Sequence, residues 1–263
     1  MKTATINGDV IHFRDLGEDD APAILWGHGF MLASHLYAEV ATLLPGYRHI
    51  IPDLRGHGES AKADTDPTLR RMADDLWELA NLLGLREFGY VGHSMGNAVG
   101  VRLAARHPAA VRAGVSIAGI PVAGKLEETR EDVATLADVA GDGSAIAQVL
   151  AGLFVREAPD SQLVAACGKS GSLVPGEVVS HITSTEFYLD ESAELLPGLT
   201  QPWLFLVPTE DTTEPEHYQI SQASLLPDST VVRLPGEGHM VPQENPAAVA
   251  GPIRDFFGAV ARP

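Results

Sequence analysis

The sequence predicts an α/β fold: a mostly parallel sheet of eight strands with helices on both faces, broken once by a helical insertion. Three observations predict it. Strand-length apolar runs alternate with helix-period segments over residues 23–118 and again over 203–260, the order that yields parallel strands joined by crossover helices. The stretch Gly92-His93-Ser94-Met95-Gly96 joins one such strand directly to a helix. Between residues 121 and 198 the alternation stops and no clear strand run is visible. The expected organisation is a core of residues 1–120 and 199–263 and a helical cap of residues 121–198.

The elements follow in order. Residues 2–6 and 10–16 alternate apolar and polar side chains around Asn7-Gly8-Asp9, a hairpin with an Asn-Gly turn. The continuous apolar run at 23–26 suits a strand covered on both faces. Residues 35–44 read as a short helix stopped by Pro45-Gly46, and 48–52 as the next strand. Leu69, Met72, Leu76, Leu79 and Leu83 recur at helical spacing within 68–83, and Gly84 ends that helix. Residues 88–91 form a strand, 97–106 a helix stopped by His107-Pro108, and 111–118 a further strand. In the insertion, 127–140, 144–154 and 161–167 look helical between prolines and glycines. Residues 203–207 resume the sheet, 215–225 form a helix, 230–234 a last strand and 246–260 a closing helix.

The chain has 263 residues, enough for a sizeable core. Eighteen basic and thirty-five acidic residues leave a net charge of 18 − 35 = −17, which argues against nucleic acid as a partner. The single cysteine, Cys167, excludes an internal disulfide. The first eight residues lack an apolar leader core, and no uncharged apolar run reaches eighteen residues. A cytoplasmic protein without membrane contact is therefore expected. Neither a metal-binding motif nor a dinucleotide or phosphate cradle is present, so no metal and no cofactor are expected. The expected partner is a small molecule with an apolar acyl part.

A serine between strand and helix must occupy a very tight turn, which lifts Oγ clear of the sheet; flanking glycines leave room for the backbone. To act as a nucleophile it needs a base, and the base an orienting carboxylate. In an open parallel sheet these come from loops at the carboxyl ends of strands. Gly236-Glu237-Gly238-His239 follows the last strand, and Thr209-Glu210-Asp211 the strand before it.

Five motifs stand in order: His28-Gly29-Phe30; Asp53-Leu54-Arg55-Gly56-His57-Gly58-Glu59-Ser60; Gly92-His93-Ser94-Met95-Gly96; Asp211 four residues past its strand; and Gly236-Glu237-Gly238-His239 with Glu244-Asn245-Pro246 downstream. Together they resemble the α/β-hydrolases, in the branch of esterases and non-haem haloperoxidases. The resemblance implies that fold and a triad of Ser94, Asp211 and His239. It also implies that the backbone N–H groups of Phe30 and Met95 form the oxyanion hole. Pro208 stands where the family usually has glycine, which leaves Glu210 open as an alternative to Asp211. Met31 beside the oxyanion site, and Phe154, Phe187 and Tyr188 in the cap, are the candidate substrate contacts.

The remaining candidates carry blander expectations. His28 is expected to brace the loop that carries Phe30, His93 to be a hydrogen-bonded neighbour, His57 to be structural, and His181 to lie on the surface or a pocket wall. Asp74 and Asp75 are expected on a solvated helix face. Three functions compete: hydrolysis of a small carboxylic ester or lactone; the same triad used for C–C bond hydrolysis, perhydrolysis, or a biosynthetic acyl transfer or elimination; and ligand binding without catalysis on the same fold.

Overall fold

The structure is a computed structural model, and residues 1–60, 66–124 and 136–260 are described here. Eight strands form one sheet: β1 (Lys2–Ile6), β2 (Asp9–Leu16), β3 (Ala23–Gly27), β4 (Arg48–Pro52), β5 (Phe88–His93), β6 (Val111–Ile117), β7 (Trp203–Pro208) and β8 (Ser229–Leu234). Their order is β1-β2-β4-β3-β5-β6-β7-β8. β2 pairs antiparallel with both β1 and β4, and every other pairing is parallel. The predicted α/β architecture is the observed one.

Burial explains the strand sequences. β3, β4 and β7 are buried at every residue; β3 and β7 accordingly read as continuous apolar runs, while Arg48 and His49 of β4 are buried with polar partners, Asp15 and the Leu44 carbonyl. β8 lies at the sheet edge and is only partly covered. Along β5, successive residues face opposite layers. A Cβ on Gly89 would lie 2.7 Å from the Phe257 ring, whereas the Tyr90 ring lies 1.9 Å from where a Cβ on Gly100 would sit. Thus α3 (Met95–Arg106) covers one face and the closing helix Pro246–Val260 the other.

The helix α2 (Leu69–Leu82) begins where Thr68 accepts a hydrogen bond from the Arg71 amide. Leu69, Met72, Leu76 and Leu79 form its buried stripe, each worth roughly 1.5–3 kcal/mol when removed from water. The expected helix at 35–44 is instead a 3₁₀ turn, Ser34–Tyr37, followed by α1 (Ala38–Thr42). The helix expected at 161–167 runs through Gln162–Gly171, and Gly176–Ser184 is a further helix with no counterpart among the expected elements. Of the helix expected at 127–140, residues 127–135 lie outside the described residues.

One polar expectation is corrected, and a second buried charge joins it. Asp75 is buried, not solvated: its carboxylate accepts from Arg55 Nε at 2.8 Å and Nη2 at 3.0 Å, and from Asn7 Nδ2 at 2.8 Å. Arg102, on α3, is also buried; it donates to the Ala98 carbonyl and pairs with Glu191. A buried charge is tolerable only with such partners. Both pairs tie distant segments together, α2 to the loop after β4 and α3 to the segment between β6 and β7. That segment contains the helices Gly143–Ala151, Gln162–Gly171, Gly176–Ser184 and Ser192–Leu195, and no strand among its described residues.

Candidate active site

The candidate residues gather at the carboxyl ends of the parallel strands. Phe30 follows β3, Ser94 follows β5, Asp211 follows β7 and His239 follows β8. Ser94 has φ 50° and ψ −118°, a conformation costly for a residue with a Cβ. Its surroundings over-determine it. Its amide donates to the Ile117 carbonyl, and its carbonyl accepts from the amides of Asn97 and Ile120. The flanking glycines leave no space for side chains: a Cβ on Gly92 would stand 2.6 Å from the Gly96 carbonyl, and one on Gly96 2.0 Å from the Gly27 carbonyl oxygen. Asn97 does more than pack on the helix, since Nδ2 donates to the Ile120 carbonyl at 2.8 Å and braces the loop after β6.

His239 and Asp211 meet at 2.9 Å, Nδ1 against Oδ2. The other oxygen, Oδ1, accepts from the amides of Thr213 and Glu214, both at 2.9 Å. Burial pushes the Asp211 carboxyl up, but the charge and hydrogen bond of His239 and these two amides outweigh it and hold it below the usual carboxylate range. The loop after Pro208 therefore presents Asp211 to His239, while Glu210 is exposed. The Glu210 amide donates to the Glu237 carbonyl at 2.9 Å, which joins the two loops.

The loop after β3 is held from several sides. His28 Nδ1–H donates to the Gly29 carbonyl at 2.8 Å, and its Nε2 accepts from the Leu54 amide at 2.9 Å. The Leu32 amide also donates to the Gly29 carbonyl. Because a trans peptide is planar, fixing that carbonyl aims the Phe30 N–H the opposite way. Met31 follows with φ 60° and no exposed surface. Met95 opens α3 and is fully buried as a side chain. Its N–H belongs to the first helical turn, where amides have no acceptor within the helix.

His93, beside Ser94, contacts His239 directly: Nε2 meets the His239 carbonyl at 2.8 Å. Its Nδ1 meets Tyr37 Oη at 2.6 Å, and the same hydroxyl accepts from the Gly29 amide at 3.0 Å. Burial, and then the neighbouring His239, push His93 down to about 3. His57 is buried as well, donates Nδ1–H to the Arg55 carbonyl, and is pushed down to about 3 by burial first and His28 second. Tyr37 was not among the sequence candidates. No motif marks it, because its partners lie 8 and 56 residues away.

The candidate substrate contacts divide. Phe187 is buried with its ring edge-on to Phe30, centroids 5.4 Å apart, and Phe30 is in turn edge-on to His57 at 5.7 Å. Tyr188 is half-buried and next to Gly124, where a Cβ would come within 2.9 Å of the Tyr188 backbone. Phe154 is half-buried and packs against the core. The residues around it sit over the His239 loop, as Val155 Cγ2 would be 2.3 Å from a Cβ on Gly238. Polar contacts hold this segment there. The amides of Val155, Arg156 and Glu157 donate to the Glu244 carboxylate at 3.0, 2.6 and 2.9 Å, and Arg156 pairs with Glu237. His181 Nε2 lies 3.2 Å from Glu186, whose other oxygen accepts the Leu69 amide of α2.

Among the described residues, no group of three or more His, Cys, Asp or Glu side chains is placed to hold a metal ion, and no helix is long and apolar enough to cross a membrane.

This architecture defines a known class. A model of the alpha/beta hydrolase fold matches residues 22–246, and the chain belongs to that family. Within it, a thermophilic esterase from Thermogutta terrifontis, solved with malate bound, superposes with a TM-score of 0.82 at 26% identity over 99% of both chains. The magnesium-chelatase 30 kDa subunit of Rhodobacter capsulatus is 26% identical over 264 residues, 92% of this chain and 89% of that protein. A bifunctional esterase/perhydrolase of Acinetobacter calcoaceticus is 34% identical over 106 residues, 40% of this chain and 38% of that protein. This alignment thus spans well under half the length of the Acinetobacter protein.

Proposed function

We propose that the protein is a serine hydrolase that cleaves small carboxylic esters or lactones through an acyl-enzyme. The observation that carries this reading is the Asp211–His239 hydrogen bond, made between loops at the carboxyl ends of the strands, where Ser94 sits on its strained turn. Similarity to an esterase over nearly the whole chain supports it.

In this reading Ser94 Oγ attacks the acyl carbon while His239 Nε2 takes its proton. Asp211 keeps the hydrogen on His239 Nδ1 and stabilises the imidazolium that forms. The N–H groups of Phe30 and Met95 stabilise the oxyanion. His239 then returns the proton to the departing alcohol, and water cleaves the acyl-enzyme with His239 as base. Residues 121–198 act as a cap that shapes the acyl pocket. Phe30, Met31, Met95, Phe154, Phe187 and Tyr188 are assigned to its apolar lining, which favours an apolar acyl group over a charged one.

A panel of p-nitrophenyl esters of increasing acyl length, with lactones alongside, tests the reading. Turnover of short acyl esters that disappears in a folded Ser94→Ala variant is expected. Tight binding of esters without turnover would instead make the protein a receptor on this fold. Turnover only with added peroxide, which replaces water as acyl acceptor, would make perhydrolysis the activity.

A further inference from the structure

We propose that Tyr37 and His93 form a positioning relay that locks the loop carrying Phe30 to the loop carrying His239. The inference rests on the triad reading above and deepens it. Neither side chain touches substrate; they set where the oxyanion N–H stands relative to the base.

The two ends of the relay settle the hydrogens in its middle. The Gly29 amide can only donate, so Tyr37 Oη accepts it at 3.0 Å. The His239 carbonyl can only accept, so His93 Nε2, 2.8 Å away, must carry hydrogen. Neutral His93 has one ring hydrogen, and it is then spent at Nε2. His93 Nδ1 is left as an acceptor, and Tyr37 donates to it across 2.6 Å. The reverse tautomer would set the Nε2 lone pair against the carbonyl lone pairs. Burial suppresses the alternatives, since it pushes His93 down to about 3 and the Tyr37 phenol up, so both stay neutral. The hydrogen bonds therefore run in one direction, Gly29 to Tyr37 to His93 to His239, an arrangement in which each bond polarises the next.

The ends are the two backbone segments the chemistry must align. Tyr37 holds the Gly29 nitrogen, while His28 and Leu32 hold the Gly29 carbonyl. Together they aim the next N–H, that of Phe30, through the planar peptide. At the other end His93 holds the His239 main chain while Asp211 holds its ring. A small misplacement between an oxyanion donor and a base is costly, about a hundredfold for 1 Å.

The test uses Tyr37→Phe, which keeps the ring packed beside Trp26, and His93→Gln, whose amide nitrogen can still donate to the His239 carbonyl but offers Tyr37 no imidazole acceptor. Each should lower kcat roughly 10- to 100-fold with KM within about twofold, and the double variant should be no worse than the weaker single, because both cut one linkage. Independently of activity, long-range ¹H–¹⁵N spectra should show His93 as the Nε2–H tautomer in both proteins, because the His239 carbonyl still requires it, while the Nδ1 resonance moves in Tyr37→Phe as its hydrogen bond is lost. The relay is overturned if wild-type His93 carries its hydrogen on Nδ1, if folded Tyr37→Phe keeps wild-type kcat, or if the two variants combine additively. The triad reading fails on a different result, the absence of a covalent probe adduct on Ser94, so the two ideas can be lost separately.

Discussion

The ring of Phe187 stands edge-on to the ring of Phe30, 5.4 Å between centroids. Phe30 belongs to the loop after β3, and Phe187 to the segment between β6 and β7. An aromatic from that segment thus rests on the residue whose N–H is assigned to the oxyanion hole. On the proposed reading, shortening Phe187 enlarges the space open to an acyl group. Phe187→Leu is expected to raise kcat/KM for bulky acyl esters relative to acetyl esters by about tenfold, the scale of one to three kcal/mol for a methylene-sized change in an apolar pocket. An unchanged ratio in the folded variant would place acyl selectivity elsewhere, around Met31 and Met95.

The Asp211–His239 contact and the exposure of Glu210 give opposite expectations for neighbouring acids. Asp211→Asn should lower kcat about 10⁴-fold, since the amide favours the wrong imidazole tautomer. Glu210→Gln should stay within a few-fold of wild type. Steady-state kinetics of both variants on one ester decide the matter, and a reversal of the two effects would reject Asp211 as the acid.

Glu244 gathers three amides from residues 155–157 onto one carboxylate. Glu244→Ala removes the acceptor for all three at once. Hydrogen exchange at these amides should accelerate by at least about tenfold, the change expected when a shared charge-assisted contact worth 1.5–3 kcal/mol is lost. Exchange in β5 should not change. If protection at 155–157 survives, the segment is held over Gly238 by Val155 packing and the Arg156–Glu237 pair.

Asp15 links the first hairpin to β4. The Arg48 hydrogen bond, opposed by burial and helped by Lys2, holds its carboxyl at about 2. A folded value below the unfolded one means that this contribution is fully present above about pH 4 and is lost as pH falls toward 2. Lys2 is solvent-screened, so the contribution is about 1 kcal/mol. Urea titrations of wild type and Asp15→Asn should differ by about that amount at pH 7 and converge near pH 2. A gap that persists at the acid end would show that the asparagine acts through packing and not through charge.

Several parts of this arrangement are legible in the sequence because they are local. The Ser94 turn is written in one stretch, apolar strand, glycine-flanked serine and helix, and the steric need for Gly92 and Gly96 follows from that geometry. The strands are legible for two local reasons: full burial makes β3 and β7 continuously apolar, and the half-covered hairpin β1–β2 alternates. What cannot be read depends on residues far apart. Asp75 looks like a solvated helix residue until Arg55 is brought against it, and Arg102 until Glu191 is. The helix Gly176–Ser184 hides behind Pro175, which reads as a breaker but here occupies the position just before the first helical residue. Between Asp211 and Glu210 the sequence leaves a choice, because only the path of the chain after Pro208 decides which carboxylate faces His239. Tyr37 has no local signature at all, since its role exists only through Gly29 and His93.

On the proposed reading, Ser94 is a nucleophile activated by His239 and Asp211. The most direct measurement is intact and peptide mass spectrometry after exposure to a small p-nitrophenyl phosphonate, with ester turnover followed in the same samples. One covalent adduct per chain on Ser94 is expected, with loss of turnover in step with labelling, no adduct in folded Ser94→Ala and much slower labelling in His239→Ala. Wild-type protein that hydrolyses esters yet carries no adduct on Ser94, or folded Ser94→Ala that retains near-normal turnover, would contradict it.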